Sequence, residues 1–305
     1  MRIAFAGTPN FAATILQGLL SSAHEVELVI SQPDPRKGRG RKTKRTPVAT
    51  LADSHSLALR QPARISEISD ELSLYDALVV AAYGQILRPD TLYATTRGAY
   101  NVHASLLPKY RGAAPVERAI MNGETETGVT IMRMDEGLDT GPFAIQRPVG
   151  IPPTMNAGEL TALLAEKGAE AVVESLDLLQ ADTLTLLEQD NLHATYASKI
   201  LDEDRIIDWT RAVREVHDRI RALAPHIGAR TYLPGVAGPV KIWRSAMLDT
   251  DGGDEKVGRI QAENGRITVN CGDGRLEVLE LQAPGGRRLA AREFLLGNPL
   301  EGVFR

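Results

Sequence analysis

The first half of the sequence alternates short apolar runs with stretches whose apolar residues recur at helical spacing. The runs are rich in Val, Ile, Ala and Tyr, and they are 2–7 (RIAFAG), 26–31 (VELVIS), 75–83 (YDALVVAAY) and 99–103 (AYNVH). Strands that are apolar along their whole length are typical of parallel sheets covered on both faces. The pattern therefore predicts an α/β domain over 1–189, in which 128–134 and 142–150 supply late strands.

The rest of the chain has a different pattern. Apolar residues at helical spacing predict one long helix that begins at Asn156 and covers 157–182, and we interpret 190–206 as a linker. A further helix is expected over 210–223. Short strand-like runs then alternate with turn signals such as Asn264-Gly265. About 80 residues of short strands predict a small closed barrel, of which the oligonucleotide-binding type is one option, and we assign 207–305 to this all-β domain.

Composition narrows the class of protein. The 305 residues carry 35 Lys and Arg against 39 Asp and Glu, and a net charge of −4 would normally argue weakly against a nucleic-acid partner. The acidic excess, however, lies in the middle of the chain, where residues 151–205 hold 3 basic and 11 acidic residues. The single Cys271 cannot form an internal disulfide, and the six histidines show no paired ligand spacing, so we expect no metal. No apolar run approaches the roughly 18 residues of a membrane span, and no signal peptide precedes the first strand. We expect a cytoplasmic protein.

The first strand ends at Gly7-Thr8-Pro9, where a dinucleotide-binding chain would need further glycines. Pro9 also removes an N–H group that could hold phosphate. A nicotinamide enzyme is therefore disfavoured.

Asn101 and His103 occupy the end of the predicted strand 99–103. Residues two apart on a strand project to the same side, and the carboxyl ends of parallel strands are where α/β sheets bind ligands. An amide and an imidazole there can donate hydrogen bonds to a developing oxyanion. The pair alone also fits an Asn that caps a turn and a His bonded to the backbone.

Asp139 lies in the glycine-rich stretch MDEGLDTGP at 134–142. A lone aspartate in such a stretch is commonly a turn residue. Close to His103, however, its carboxylate would orient the imidazole, and the three residues together would suit acyl transfer. The sequence lacks the G-x-S-x-G motif, and its only cysteine lies in the second domain, so direct attack by a substrate nucleophile is preferred over a covalent acyl-enzyme.

A basic loop follows the second strand at 32–47. Its cations are Arg36, Lys37, Arg39, Arg41, Lys42, Lys44 and Arg45. They are accompanied by one acid, Asp34, and such a concentration of charge favours an anionic partner, although a solvated surface loop would look the same.

These residues, taken together, resemble the methionyl-tRNA formyltransferase family. The similarity runs over nearly the whole chain, and its most specific motifs are NVHASLLP at 101–108 and DEGLDTGP at 135–142. The resemblance implies a Rossmann-like catalytic domain with a C-terminal oligonucleotide-binding-like barrel. It further implies 10-formyltetrahydrofolate as the formyl donor and initiator methionyl-tRNA as the acceptor. A monomer without a metal is expected.

The resemblance also assigns roles to individual residues. Asn101, His103 and Asp139 match the catalytic positions of the family. Its folate-contacting motif is matched by Ser105, Leu106, Leu107 and Pro108, and its pterin pocket by Gln85, Ile86 and Leu87. The basic loop matches the segment that enters the tRNA acceptor arm.

Two other kinds of protein share part of this pattern. A formyltransferase acting on a small amine, such as glycinamide ribonucleotide or an amino sugar, would use the same chemistry but would leave the basic loop and the C-terminal domain unexplained. A non-catalytic RNA-binding protein would explain those two features but not Asn101, His103 and Asp139.

Overall fold

The computed structural model describes residues 1–37, 42–233, 236, 238–248, 256–298 and 300. The chain forms two compact units. The first comprises Met1–Pro115, Glu126–Gly150 and Thr161–Ala197, and the second comprises Val116–Thr125, Ile151–Leu160 and Ser198–Arg305. The domain bounds given above, 1–189, 190–206 and 207–305, stay a prediction.

Strands and helices are numbered along the whole chain. The strands up to residue 197 are β1 (Arg2–Gly7), β2 (Glu25–Ile30), β3 (Arg36–Lys37), β4 (Lys42–Thr43), β5 (Ala58–Arg60), β6 (Ala77–Ala81), β7 (Ala99–His103), β8 (Arg111–Gly112), β9 (Glu126–Arg133), β10 (Phe143–Gly150) and β11 (Tyr196–Ala197). The helices of this part are α1 (Asn10–Leu20), α2 (Pro47–Ser54), α3 (Ser69–Leu72), α4 (Pro89–Leu92), α5 (Pro115–Met121) and α6 (Ala157–Gln180). Short 3₁₀ turns lie at Ile65–Ile68, Asn191–His193 and Glu203–Arg205.

The central sheet of the first unit has seven strands in the order β10-β9-β7-β6-β1-β2-β5. The five from β7 to β5 are mutually parallel, as the apolar runs predicted. β9 and β10 form an antiparallel pair, and β9 lies antiparallel beside β7. Every residue of β6 is buried, as is typical of a sheet covered on both faces. The predicted α/β fold is confirmed, with its late strands forming an antiparallel edge.

The turn after β1 is shaped by packing of the strand against helix α1. Pro9 stands at the N-cap of α1, one position before the helix begins. A Cβ on Gly7 would lie 2.5 Å from the Cβ of Ala12, so the close approach of β1 to α1 requires glycine there. This glycine has a packing role.

Helix α6 begins with a capping box. The Asn156 Oδ1 accepts a hydrogen bond from the backbone N–H of Glu159 at 3.1 Å, and the Glu159 carboxylate accepts from Asn156 N–H at 2.9 Å. The helix runs from Ala157 to Gln180, close to the predicted 157–182. No helix in the described ranges combines the length and apolar character that crossing a membrane requires.

The second unit is built on an antiparallel sheet. Its elements are α7 (Val213–Leu223), β12 (Ala229–Tyr232), β13 (Pro239–Leu248), β14 (Ile260–Glu263), β15 (Arg266–Asn270), β16 (Arg275–Gln282), β17 (Leu289–Ala290) and α8 (Ala291–Gly297). The strand order is β12-β13-β16-β15-β14, with β17 paired to β16. The predicted turn at Asn264-Gly265 joins β14 to β15, and both residues have positive φ, as a two-residue hairpin requires. Closure of this sheet into a barrel stays a prediction.

Candidate active site

The end of β7 places Asn101 and His103 on one side of the strand. β7 lies between β6 and β9, with Asn101 opposite Val80 and Met132 and His103 opposite Thr130. Asn101 is half-buried, and its side-chain amide makes no hydrogen bond to any described residue. A turn-capping asparagine would have such a bond. Because the Asn101 amide has no such bond, a ligand-binding role is favoured over a turn-capping role.

His103 is buried, and its two ring nitrogens face different partners. Nε2 lies 3.0 Å from the backbone oxygen of Tyr110. Because a carbonyl oxygen can only accept, Nε2 carries a proton and donates it in this bond. Nδ1 lies 3.7 Å from Oδ2 of Asp139. Any additional proton on the ring must therefore sit on Nδ1, beside the carboxylate.

Asp139 is held in a left-handed backbone conformation with φ of 53°. Its Oδ2 accepts a hydrogen bond from the backbone N–H of Gly112 at 2.8 Å. A second aspartate of the same loop, Asp135, accepts bonds from Gly137 N–H at 3.0 Å and from the Thr140 hydroxyl at 2.7 Å. The structure thus brings the three predicted catalytic residues to one edge of the sheet: Asn101 and His103 on β7, and Asp139 within 3.7 Å of His103.

Hydrogen bonds from β9 and β10 hold the segment 105–108 in place. The buried Thr130 hydroxyl donates to the Ser105 carbonyl at 2.6 Å and accepts from the Leu107 N–H at 3.1 Å. Gln146 donates to the Leu107 carbonyl at 2.7 Å. The Ser105 hydroxyl is turned inward, where it donates to the Lys109 carbonyl at 2.6 Å. Ser105 and Leu107 are buried, while Leu106 and Pro108 are partly exposed.

Sequence reasoning missed Thr130 and Gln146. The signal for Thr130 was present, because it is the one polar residue in the otherwise apolar run GVTIM at 128–132. A hydroxyl placed in a buried strand needs a partner, and here the partner is the adjacent loop.

The three residues assigned to a pterin pocket lie in different environments. The Gln85 side chain accepts from Ile65 N–H at 2.9 Å and donates to the Ala63 carbonyl at 3.1 Å. Ile86 is 92% exposed, and Leu87 is buried in the core. Of the three, only Ile86 offers a wide apolar surface to solvent.

The structure describes part of the basic loop. Arg39 and Arg41 lie outside the described residues. For Arg36, Lys37 and Lys42 the structure describes the backbone, in which β3 pairs with β4. Lys44 is exposed.

Arg45, the last cation of the basic loop, is paired with two acids. Its guanidinium donates to the Asp53 carboxylate at 2.7 Å and to Asp34 at 3.2 Å. The charge of Arg45 is thus shared with two carboxylates of the first unit.

The single cysteine, Cys271, belongs to the second unit. Burial raises the pKa of the Cys271 thiol to about 12, which makes it a poor nucleophile. Within the ranges that the structure describes, no three His, Cys, Asp or Glu side chains are grouped to hold a metal ion.

Comparison with known proteins identifies the family. Residues 1–176 match the family model described as formyl transferase, and residues 199–299 match that of the formyl transferase C-terminal domain. A methionyl-tRNA formyltransferase from Rubrobacter xylanophilus is 63% identical over 305 residues, covering 100% of both chains. The chain belongs to the methionyl-tRNA formyltransferase family. Another relative of that name, from Syntrophomonas wolfei, is 42% identical and covers 98% of this chain and 96% of its own.

Solved formyltransferase structures share the fold. The N-formyltransferase from Helicobacter canadensis, in complex with folinic acid and dTDP-3-aminofucose, superposes with a TM-score of 0.69 at 20% identity, covering 90% of this chain and 98% of its own. Glycinamide ribonucleotide transformylase 1 from Symbiobacterium toebii has a TM-score of 0.53 at 20% identity and covers 62% of this chain and 94% of its own. The likeness to the shorter enzyme is thus confined to part of the chain.

Proposed function

We propose that the protein transfers the formyl group of 10-formyltetrahydrofolate to the free α-amine of methionine on initiator methionyl-tRNA. The observation that carries this proposal is the 63% identity, over the full length of both chains, with a methionyl-tRNA formyltransferase. The arrangement of Asn101, His103 and Asp139 at one sheet edge supplies the chemistry that such a transfer needs.

The reaction forms a bond between the amine nitrogen and the formyl carbon, and it breaks the bond between that carbon and N10 of the folate. Negative charge develops on the formyl oxygen in between. The Asn101 amide, which bonds to no described residue, donates to this oxygen. His103 donates a second hydrogen bond from Nδ1, because its Nε2 proton is committed to the Tyr110 carbonyl.

Asp139 has two tasks in this scheme. Its carboxylate stabilises the charged His103 across the 3.7 Å between them. It also receives the proton that the attacking amine loses, directly or through one water molecule. His103 protonates N10 as tetrahydrofolate leaves, and transfer of the proton from Asp139 to Nδ1 restores both residues.

The folate donor is assigned to Ser105, Leu106, Leu107 and Pro108 together with Gln85, Ile86 and Leu87. The Ser105 hydroxyl is already bonded internally, so the loop backbone and the partly exposed Leu106 and Pro108 are the groups that can contact the donor. A planar pterin ring lying against Ile86 would cover apolar surface that is exposed in the free chain.

The tRNA is assigned to the basic loop and to the C-terminal domain over 207–305. We infer that Arg36, Lys37, Arg39, Arg41, Lys42 and Lys44 contact acceptor-arm phosphates, whereas Arg45 contributes less because two acids neutralise it. We further infer that the protein works in the cytoplasm, where initiator tRNA is charged and used. A monomer suffices, since one chain holds both the catalytic residues and the second domain.

One assay tests the proposal. Purified protein is given 10-formyltetrahydrofolate and methionyl initiator tRNA, and formylmethionine is measured after hydrolysis of the aminoacyl ester. Glycinamide ribonucleotide and an amino sugar nucleotide serve as alternative acceptors, and Asn101→Ala is the inactive control. Formylation of methionyl-tRNA that neither small amine receives is expected. Transfer to a small amine in preference to the tRNA would refute the proposal.

A further inference from the structure

Arg111 is a buried cation that has no anionic partner among the described residues. Arg111 is 2% exposed, and none of the described residues supplies a carboxylate within ion-pair distance. Its guanidinium instead donates to Gln189 Oε1, from Nε at 3.1 Å and from Nη2 at 2.7 Å, and to Asn191 Oδ1 at 2.8 Å. Burying a charged side chain whose partners are all neutral costs free energy. The position of Arg111 therefore calls for an explanation other than stability.

Gln189 connects this cation to the loop that holds Asp139. Its Nε2 donates to the Asp139 carbonyl at 2.9 Å and to the Gly141 carbonyl at 2.7 Å, while its Oε1 faces Arg111. The guanidinium has only donors, so it excludes the flipped amide. Arg111 therefore fixes which end of the Gln189 amide faces the loop.

The carboxylate of Asp139 is held by β8, the short strand that contains Arg111. Gly112, the residue after Arg111 in β8, donates its N–H to Asp139 Oδ2 at 2.8 Å. The pairing of β8 with β11 fixes this strand, and a Cβ on Gly112 would lie 2.9 Å from the Ala197 carbonyl oxygen. Gln189 thus holds the backbone of Asp139 and Gly112 holds its side chain, in an aspartate whose left-handed conformation is unfavourable by itself.

We propose that Arg111 and Gln189 are positioning residues that keep the Asp139 carboxylate at its working distance from His103. The inference rests on the proposed function, because it assigns Asp139 a part in proton transfer. Neither residue needs to touch a substrate. A displacement of about 1 Å at a reacting group can lower a rate by about 100-fold, so removal of the amide link should lower kcat and leave KM nearly unchanged.

Gln189→Glu is the sharpest test, because it keeps an acceptor for Arg111 while removing both donors to the loop. Gln189→Met removes both the acceptor for Arg111 and the donors to the loop, with a side chain of similar volume and no added charge. The matched control is Glu188→Gln on the neighbouring exposed residue. We expect both Gln189 variants to have a kcat about 10- to 100-fold lower, with KM for folate and for tRNA within about threefold of wild type, and the control to match wild type. Values of kcat within twofold of wild type in Gln189→Glu would overturn the proposal, as would an effect confined to KM.

A second measurement does not depend on turnover. The ¹⁵N resonances of the His103 ring, assigned with a His103→Gln variant, report the environment of Nδ1. They should shift in both Gln189 variants and not in Glu188→Gln, and unchanged resonances would contradict the positioning role.

A wild-type protein that fails to formylate methionyl-tRNA would instead refute the proposed function, and the His103 resonances would still decide whether Gln189 positions Asp139. Should Gln189→Met fail to fold, Gln189→Glu, which retains the Arg111 contact, decides both measurements.

Discussion

The Nδ1 atom of His103 lies 3.7 Å from Oδ2 of Asp139, just beyond hydrogen-bond length. The opposite ring nitrogen is occupied by the Tyr110 carbonyl. The Asp139 carboxylate and the His103 Nδ1 atom therefore face each other and can both interact with a bound substrate. The Asn101 amide lies on β7 together with His103.

Asn101→Ala should lower the single-turnover rate of formyl transfer by about 100- to 1,000-fold, because it removes an oxyanion donor. Asp139→Asn should also lower it strongly, since an amide can neither receive the amine proton nor stabilise a charged His103. Folate affinity should stay within a few-fold in both variants, because neither side chain is among the residues assigned to hold the folate, 105–108 and 85–87. Rapid-quench measurements at saturating folate provide the rates, and near wild-type rates in either variant would defeat the assignment.

Thr130→Val should weaken folate binding. The change keeps the shape of the side chain but leaves the Leu107 N–H without its acceptor, which costs about 1–3 kcal/mol at a buried site. The loop 105–108 should loosen, and KM for folate should rise several-fold with a smaller change in kcat. Thr127→Val is the matched control, because Thr127 is buried on the same strand and its hydroxyl bonds to no described residue. Equal KM values in the two variants would count against the role of Thr130.

Replacing Arg39, Arg41 and Lys42 by Ala should weaken tRNA binding and flatten its dependence on salt. For every phosphate that the protein no longer neutralises, the slope of log affinity against log salt should fall by about 0.9 on a duplex such as the acceptor stem. Fluorescence anisotropy of labelled tRNA at several salt concentrations measures this slope.

The control removes the same total charge at other places in the first unit. Arg60, Arg97 and Lys167 are each paired with an acid at the surface, and their triple replacement by Ala should leave the slope unchanged. A slope that falls equally in both triple variants would point to net charge, and the basic loop would lose its assignment.

The second unit should lose stability as the pH falls below about 6.5. Burial lowers the pKa of His217 below its ordinary value, and the neutral ring is bonded to the Ser245 hydroxyl and the Pro153 carbonyl, each at 3.0 Å. An unfolded chain, whose histidines titrate at about 6.5, binds this proton before the folded one does. The stabilising contribution is therefore complete above about pH 6.5 and decreases as the pH falls towards the folded pKa.

The expected observation is a thermal unfolding midpoint that drops between pH 7.5 and 5.5, by less in His217→Gln than in wild type. His24, whose pKa burial also lowers, is present in both proteins, so the difference between them isolates His217. An identical pH dependence in the two proteins would contradict the prediction.

Local pattern was enough to locate β7 and the two residues at its end. The run AYNVH is apolar except where Asn101 and His103 project, and the observed strand has the predicted limits of 99 and 103. The hairpin at Asn264-Gly265 was equally local, since two residues with positive φ are needed there. The antiparallel setting of β9 could not be predicted, because strand direction depends on which neighbour the strand pairs with.

The amino-acid sequence by itself determined the alternation of strands and helices, the turn positions, the concentration of cations at 36–45 and the motifs that mark the family. These properties follow from neighbouring residues and need no folded partner. The tertiary structure alone decided which nitrogen of His103 carries a proton and which loop Thr130 secures. It also decided that Gln189, itself bonded to Arg111, reaches the Asp139 loop from a position 50 residues away in the chain. Hydrogen bonds between residues far apart in the chain depend on how the sheet packs. Local sequence patterns therefore cannot predict them.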